Sequence, residues 1–138
     1  MQFMIIRRAD PSTEAGAPPS AQALEDMERF NQALADQGGL GLALGLRPSR
    51  RAVRLRMGPG GESITDGPFA ESKELVAGYT LIQTRTRDEA IEWSRRFPNP
   101  VGEGAACHIE VRQLYEMEDF AGIVKDETAD RFREMGVK

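Results

Sequence analysis

The sequence predicts an α+β domain of the ferredoxin-like type, a split βαβ sheet with an inserted β-hairpin. Three observations predict this fold. The 138 residues, 40% of them hydrophobic and 29% charged, suffice for one globular domain and are too few for two. Strand and helix patterns follow the order strand, helix, strand, hairpin, strand, helix, strand. Two split βαβ units in this order make an antiparallel sheet with both helices on one face.

The first quarter of the chain predicts one strand, one loop and one helix. Residues 3–6 are apolar on both alternating faces, which is typical of a central strand covered on both sides. Residues 9–19 are rich in Pro, Ser, Thr and Gly, and predict a long loop without a helix. Ser20 is a candidate N-cap for a helix that runs to about Gln37 and stops at the two glycines that follow. The predicted core-facing residues of this helix are Leu24, Met27, Phe30 and Leu34.

The middle of the chain predicts a hairpin between two strands. A short strand is expected over residues 40–46. Residues 51–57 alternate Val, Leu and Met with Arg, as a half-exposed strand does. The Gly-Pro-Gly-Gly turn at 58–61 predicts a return arm over residues 62–65. A further strand is expected over residues 79–84.

The second helix has a clear start, because Thr86 and Glu89 have the spacing of a capping box, in which their side chains satisfy two backbone amides reciprocally. Pro98 ends this helix. Its predicted inward-facing residues are Ala90, Trp93 and Phe97. Residues 107–114 alternate apolar and polar side chains and predict the last strand. We therefore expect a domain over residues 1–120, followed by a charged tail over residues 121–138 with a short helix.

The first strand also predicts the state of assembly. Its two apolar faces need cover, yet both helices of a split βαβ sheet lie on one side. If the other face stayed uncovered, several large apolar side chains would be in contact with water. A second copy packed sheet to sheet would cover them, so we expect a homodimer.

Composition excludes several classes of function. With 18 Lys and Arg against 22 Asp and Glu, the net charge is −4, which argues against nonspecific nucleic-acid binding. The one cysteine, Cys107, cannot close an internal disulfide, and with the one histidine it cannot supply a zinc site. No apolar stretch approaches the ~20 residues that span a bilayer. We expect a cytoplasmic protein with no metal, no organic cofactor and no membrane association.

Two groups of residues are candidates for chemistry but have simpler interpretations. Cys107 and His108 are adjacent, and consecutive strand residues point to opposite faces, so we do not expect a nucleophile–base pair. His108 alone is either an acid or base or a solvated side chain. Five arginines within ten positions could bind an anion, although the acidic chain and the lack of interleaved aromatic residues favour a solvated hairpin face. These are Arg47, Arg50, Arg51, Arg54 and Arg56.

The segment Asp66-Gly67-Pro68-Phe69 leaves two interpretations open. In one, Asp66 accepts the amides that follow it, the glycine and proline set a bend, and the phenylalanine fills an apolar gap. In the other, Asp66 is a proton acceptor whose pKa is set by Glu71 or Lys73. Glu14, in the long loop, either reaches the same site or caps a turn.

At this segment the sequence resembles the YCII-related superfamily, in its DGPF-domain branch. Several other features of that family occur in order along residues 1–120. They are Arg8-Ala9, Thr13-Glu14-Ala15-Gly16, the longer signature 65–74 with Ser72 where Thr is common, Gly78-Tyr79, Glu92-Trp93 and Ile109-Glu110-Val111-Arg112-Gln113.

The resemblance implies a ferredoxin-like fold assembled as a dimeric α/β barrel. It also implies a small-molecule enzyme or ligand-binding protein with a cleft near the sheet, for which our candidate lining residues are Arg8, Glu14, Asp66 and Tyr79, with Asp66 as base. Other YCII-like proteins are thought to use a His of the first helix with an Asp. Residues 20–37 contain no His, so that pair does not carry over. An extracytoplasmic-function sigma factor, a common genomic neighbour of such proteins, is the alternative partner.

Overall fold

The computed structural model describes residues 1–99, 101–102 and 104–136, so the last two residues of the predicted tail lie outside the described residues. Within these described ranges, six strands and four α-helices, numbered in chain order, form the fold. The strands are β1 (Gln2–Arg8), β2 (Leu40–Gly45), β3 (Val53–Gly58), β4 (Gly61–Asp66), β5 (Val76–Gln83) and β6 (Ile109–Gln113). The helices are α1 (Pro11–Ala15), α2 (Ala21–Asp36), α3 (Arg87–Arg95) and α4 (Asp126–Glu134).

Four strands form an antiparallel sheet in the order β2–β5–β1–β6, and β3 and β4 form a separate hairpin. This is the order of two interlocked split βαβ units. The mixed α+β class and the inserted hairpin are confirmed. The part of the chain that the structure describes forms no closed barrel, and the dimeric barrel stays a prediction.

The core lies between the sheet and helices α2 and α3. β1 is central, as its two apolar faces predict, and its residues Phe3 and Ile5 point toward the helices. Phe30 of α2 meets the ring of Trp93 edge to face, with ring centroids 6.1 Å apart. The buried core consists of Phe3, Ile5, Phe30, Leu34, Ile82, Ala90 and Trp93.

Helix α2 begins and ends as predicted. The Ser20 hydroxyl accepts a hydrogen bond from the Ala23 amide at 3.1 Å, and the helix ends before the two glycines. Phe30 and Leu34 are buried, but the prediction for Leu24 is wrong, because its side chain is 57% exposed. Leu24, in the first turns of α2, borders a cavity between this helix and the sheet.

The prediction of a loop without a helix over residues 9–19 is also wrong. Asp10 caps the short helix α1 by accepting the amides of Ser12 and Thr13 at 2.8 and 2.9 Å. The Thr13 hydroxyl in turn accepts the Asp10 amide at 2.9 Å, which completes a capping box. Pro11, at the first helical position, has a fixed φ that suits a helix start. These local caps offset the poor helix propensity of the segment.

Helix α3 starts at the predicted cap with one difference. The Thr86 hydroxyl accepts the Glu89 amide at 3.1 Å, but the Glu89 carboxylate accepts the amide of Arg85, not that of Thr86. This hydrogen bond and the Arg85 charge hold the pKa of Glu89 below its ordinary value despite some desolvation. β5 begins three residues before the predicted strand, and β6 begins two residues after the predicted start.

The sheet face away from α2 and α3 is apolar and is exposed along β2 in the single chain. Leu42 and Leu44 of β2 lie on it and are 46% and 49% exposed. β3 was expected to bury one side, yet every residue of the hairpin is exposed, because no element of the described chain packs against it. None of the helices in the described ranges combines the length and apolar character needed to cross a membrane.

Candidate functional site

Three of the four predicted site residues lie at one end of the four-stranded sheet. β1 ends at Arg8, and α1, which carries Glu14, follows directly. Tyr79 lies in the first half of the antiparallel neighbour β5, opposite Ile6. Asp66 ends the hairpin strand β4. The antiparallel register therefore brings the ends of β1 and β2 beside the start of β5.

The two signature segments, 13–16 and 66–69, meet at Ser49, which is buried. Both carboxylate oxygens of Glu14 are taken up there, accepting the Ser49 amide at 3.1 Å and its hydroxyl at 2.5 Å. The Ser49 hydroxyl oxygen also accepts the Phe69 amide at 3.0 Å. A continuous hydrogen-bonded chain thus joins Glu14, Ser49 and Phe69. We call these three residues, with Arg50 and Gly67, the motif junction.

Close backbone contacts complete the motif junction. A Cβ at Gly67 would collide with the Ser49 carbonyl oxygen, so only glycine fits there. The Arg50 guanidinium donates to the carbonyl oxygens of Glu14 and Ala15, at 3.3 and 2.9 Å. Gly16 ends α1 with a left-handed φ of 83°, and a Cβ there would collide with that guanidinium. Packing against the Ser49 backbone therefore requires the glycine at 67, whereas the left-handed backbone conformation favours the glycine at 16.

Asp66 is exposed, and the amides that it was expected to cap have other partners. The Gly67 amide donates to the Ala52 carbonyl oxygen at 2.9 Å, and the Phe69 amide donates to Ser49. Asp66 therefore does not cap these two amides, and its role stays a prediction. Phe69 is half-buried, with the Arg54 guanidinium 4.0 Å from its ring centre, so this arginine stacks on the signature and is not simply solvated.

Arg8 lines an open cleft on the other side of the β1 end. Its guanidinium donates to the Glu74 carbonyl oxygen at 2.8 Å and pairs with Glu110 at 2.7 Å. The same cleft is lined by Lys73, Cys107 and His108. Arg8 is thus held by two partners of its own, and it does not join the hydrogen-bonded chain at Ser49.

The reason given for excluding a pair between Cys107 and His108, their position in a strand, is wrong. Both precede β6, which begins at Ile109, so strand alternation does not govern their directions, and both line the open cleft. Burial raises the pKa of the Cys107 thiol, partly offset by the nearby charge of Arg7. A raised pKa keeps the thiol protonated at neutral pH, which makes it a poor nucleophile.

A second cavity, of about 230 Å³, lies between α2 and the sheet, and we call it the α2 cavity. Met27, Ala43 and Phe97 are among the apolar residues that line it, and Tyr79 borders it. By its register Tyr79 belongs to the open face of the sheet, opposite Ile6 and Leu44. Of the four predicted site residues, only Tyr79 contributes to this cavity.

Arg7 and Asn31 are the polar features of the α2 cavity that the sequence analysis missed. Each carries one buried atom, Nε and Oδ1 respectively, with no hydrogen-bond partner among the described residues. Arg7 lies two residues after Ile5 in β1, so its side chain is on the same face of the sheet and points toward the helices. Its partners in the neighbouring strands are Gly78 and Ile109. A basic residue in the inward-facing register of a central strand was the available signal. Asn31 gave none, being one of several polar residues of α2.

A metal site has no support in the described ranges. No group of three or more His, Cys, Asp or Glu side chains lies close enough there to hold an ion.

Comparisons with known proteins identify a family and a distant structural neighbour. A model of the YCII-related domain matches residues 1–118. An uncharacterised protein of Rhizobium meliloti (strain 1021) is 30% identical over 95 residues, which are 69% of this chain and 77% of that protein. A 5-chloro-2-hydroxyhydroquinone dehydrochlorinase from Burkholderia phenoliruptrix AC1100, solved with 2,5-dihydroxybenzoquinone, overlays with a TM-score of 0.47 at 11% identity, covering 86% of this chain and 98% of that one.

Proposed function

The chain belongs to the YCII-related domain family, and from this membership we propose that it binds a small molecule, as an enzyme or a ligand-binding protein. The resemblance to this family is thereby confirmed, while placement in the DGPF branch stays a prediction. One observation carries the proposal, namely the largely apolar α2 cavity at the sheet end where β1 stops. Apolar cavities with few polar groups are the usual form of small-molecule sites.

Asp66 is our candidate base, and Arg8 and Tyr79 are candidate binding residues, whereas the predicted binding residue Glu14 has a positioning role. What supports Asp66 over Glu14 is the availability of its carboxylate. Both oxygens of Glu14 already accept hydrogen bonds from Ser49, whereas Asp66 is exposed at the end of β4. A general base needs a free lone pair within reach of the proton that it removes. Glu14 then acts by holding the motif junction in place.

The proposal includes a homodimer in which the open faces of two sheets pack together as a dimeric α/β barrel. Leu42 and Leu44 are about half exposed, and Met4, Tyr79 and Leu81 lie beside them on the same face. A contiguous apolar face of this kind is rare on monomeric proteins and typical of an interface. Two-fold symmetry lets one such patch cover its copy. We place this dimer in the cytoplasm, as the single cysteine suggests.

Native mass spectrometry of the freshly purified protein tests these statements together. We expect a dimer that carries an additional small mass. Asp66→Asn is expected to remain a folded dimer but to change the bound mass or its occupancy, because the bound compound is no longer converted or held. Asp130→Asn, an exposed change in α4, is the matched control and should match the wild type. A monomer contradicts the interface, and an unchanged adduct in Asp66→Asn contradicts the role of Asp66.

A regulatory module that binds an extracytoplasmic-function sigma factor is the second candidate function. What favours it is the apolar surface at the C-terminal end, where Ile123 and Met135 are 80% and 68% exposed. Removal of residues 121–138 should then abolish capture of a sigma factor and leave any bound small molecule in place. If neither the full chain nor the truncated chain captures a sigma factor, this candidate fails.

A further inference from the structure

We propose that the α2 cavity binds a small, mostly apolar molecule with a single anionic group, and that Arg7 recognises this group. The inference rests on the proposed small-molecule function and adds to it the ligand class and the residue that selects it. It concerns neither Asp66 nor the motif junction.

The charge around the cavity defines the sign of the ligand. Arg7 is the one charged residue among the described residues that line the α2 cavity. The other polar lining side chains, such as Asn31, Thr80 and Asn99, are neutral. A cation within an otherwise neutral, apolar wall attracts an anion more strongly than one on a solvated surface, because water screens it less.

The internal partner of Arg7 leaves its charge incompletely compensated. Asp10 Oδ2 lies 3.6 Å from a guanidinium nitrogen, beyond hydrogen-bond distance. The other oxygen of that carboxylate is committed to the amides of Ser12 and Thr13 at the start of α1. The Arg7 side chain is only 21% exposed, so water solvates it poorly. A carboxylate in the cavity would supply the hydrogen bonds that a guanidinium favours.

The second orphaned atom and the cavity volume narrow the ligand further. Asn31 Oδ1 is an acceptor, so a donor such as a hydroxyl on the ligand would suit it after a small rotation of the amide. Apolar cavities of about 150 Å³ admit one benzene ring. The α2 cavity, at about 230 Å³, has room for one ring with its substituents. An aromatic carboxylate with a hydroxyl substituent fits all three features.

Benzoate and benzamide are the probes for this proposal, since they share their shape and differ in charge. Titration of the ¹⁵N-labelled protein, followed by amide chemical shifts, gives both the Kd and the location of binding. We expect benzoate to shift the amides of Gly45, Ala77 and Thr80, which line the cavity. Benzamide should bind at least about tenfold more weakly, because it lacks the negative charge and the paired acceptor oxygens with which a carboxylate binds a guanidinium.

Three variants complete the experiment. Arg7→Gln should weaken benzoate binding by about tenfold or more and leave benzamide binding unchanged. Ala23→Phe, which places a ring in the cavity from α2, should abolish binding of both probes. Arg95→Gln is the matched control on the exposed face of α3 and should bind both as the wild type does.

The proposal is overturned if benzoate shows no saturable binding in the cavity, if it binds no better than benzamide, or if Arg7→Gln binds it equally well. Should Arg7→Gln fail to fold, the preference for benzoate and the effect of Ala23→Phe still decide the question. The proposed function is judged separately. If the protein carries a small molecule in native mass spectrometry but binds benzoate outside the cavity, the proposed function stands and this inference is wrong.

Discussion

The motif junction and the α2 cavity lie at the same end of the sheet and treat their polar groups in opposite ways. In the junction, both carboxylate oxygens of Glu14 accept hydrogen bonds from Ser49, one from its amide and one from its hydroxyl. The Ser49 hydroxyl oxygen in turn accepts the Phe69 amide. At the cavity, Arg7 Nε and Asn31 Oδ1 are buried without a hydrogen-bond partner in the described chain. The first region is complete in the single chain, and the second is not.

This difference separates a structural role from a binding role. A buried polar network whose members are all hydrogen-bonded rigidifies the fold, and it has little capacity left for a ligand. A buried polar atom without a partner costs about 1–3 kcal/mol and calls for an explanation such as a ligand. The contacts of Glu14, Gly67 and Phe69 with Ser49 therefore hold this end of the molecule together, while the adjacent cavity has buried polar atoms without a partner in the described chain.

The largest expected effect comes from crowding the motif junction. Gly67→Ala forces a Cβ into the Ser49 carbonyl oxygen, so the hairpin base must move away from the buried serine. We expect the free energy of unfolding to fall by about 3 kcal/mol, the upper part of the usual range for overpacking. Urea unfolding at equal protein concentration measures it. Gly60→Ala, in the hairpin turn where no atom lies within 4 Å of the added Cβ, is the control. Equal stability of the two variants would show that the junction is loose.

Removal of one hydroxyl from the motif junction should have the next largest effect. Ser49→Ala leaves the Phe69 amide and one oxygen of Glu14 without their shared partner in a half-buried site. We expect a loss of about 2 kcal/mol in the free energy of unfolding. Ser63→Ala, at an exposed position of β4, should change it little. If Ser49→Ala matches this control, the hydrogen-bonded chain contributes nothing to stability and the contrast with the cavity fails.

The sequence predicted the elements better than it predicted what they bring together. The continuous apolar run of residues 3–6 and the caps at Ser20 and Thr86 are local signals, and each corresponds to an element of the structure. The helix at Asp10 was missed because proline and small polar residues resemble a loop unless the capping partners are seen. Local pattern is thus sufficient where one dominant interaction determines the conformation.

The site depends on tertiary contacts, which a single sequence does not reveal. The two signatures were found as motifs, but nothing in their spacing identified Ser49, 35 residues from Glu14 and 20 from Phe69, as their common partner. In the sequence, Arg7 follows the apolar run of residues 3–6 and directly precedes Arg8. Only the sheet register puts the two on opposite faces, with Arg8 bound to Glu110 and Arg7 turned to the cavity.

The smallest expected effect is the sharpest test of the comparison, because here the substitution should raise the free energy of unfolding, whereas the two substitutions in the motif junction lower it. Asn31→Leu removes an unpartnered oxygen from the cavity wall and puts an apolar side chain of similar size beside Met27 and Leu24. Replacement of an unsatisfied polar group by an apolar one of similar shape is neutral or favourable, so we expect the free energy of unfolding to rise by up to about 1 kcal/mol. The same urea titration measures this change beside that of Ser49→Ala.

A loss of stability as large as that of Ser49→Ala would mean that Asn31 has a hydrogen-bond partner in solution, and the polar groups of the cavity would then be as fully bonded as those of the junction. A gain in stability together with weaker binding of a hydroxylated benzoate would mean that Asn31 is retained for the ligand at the expense of the fold.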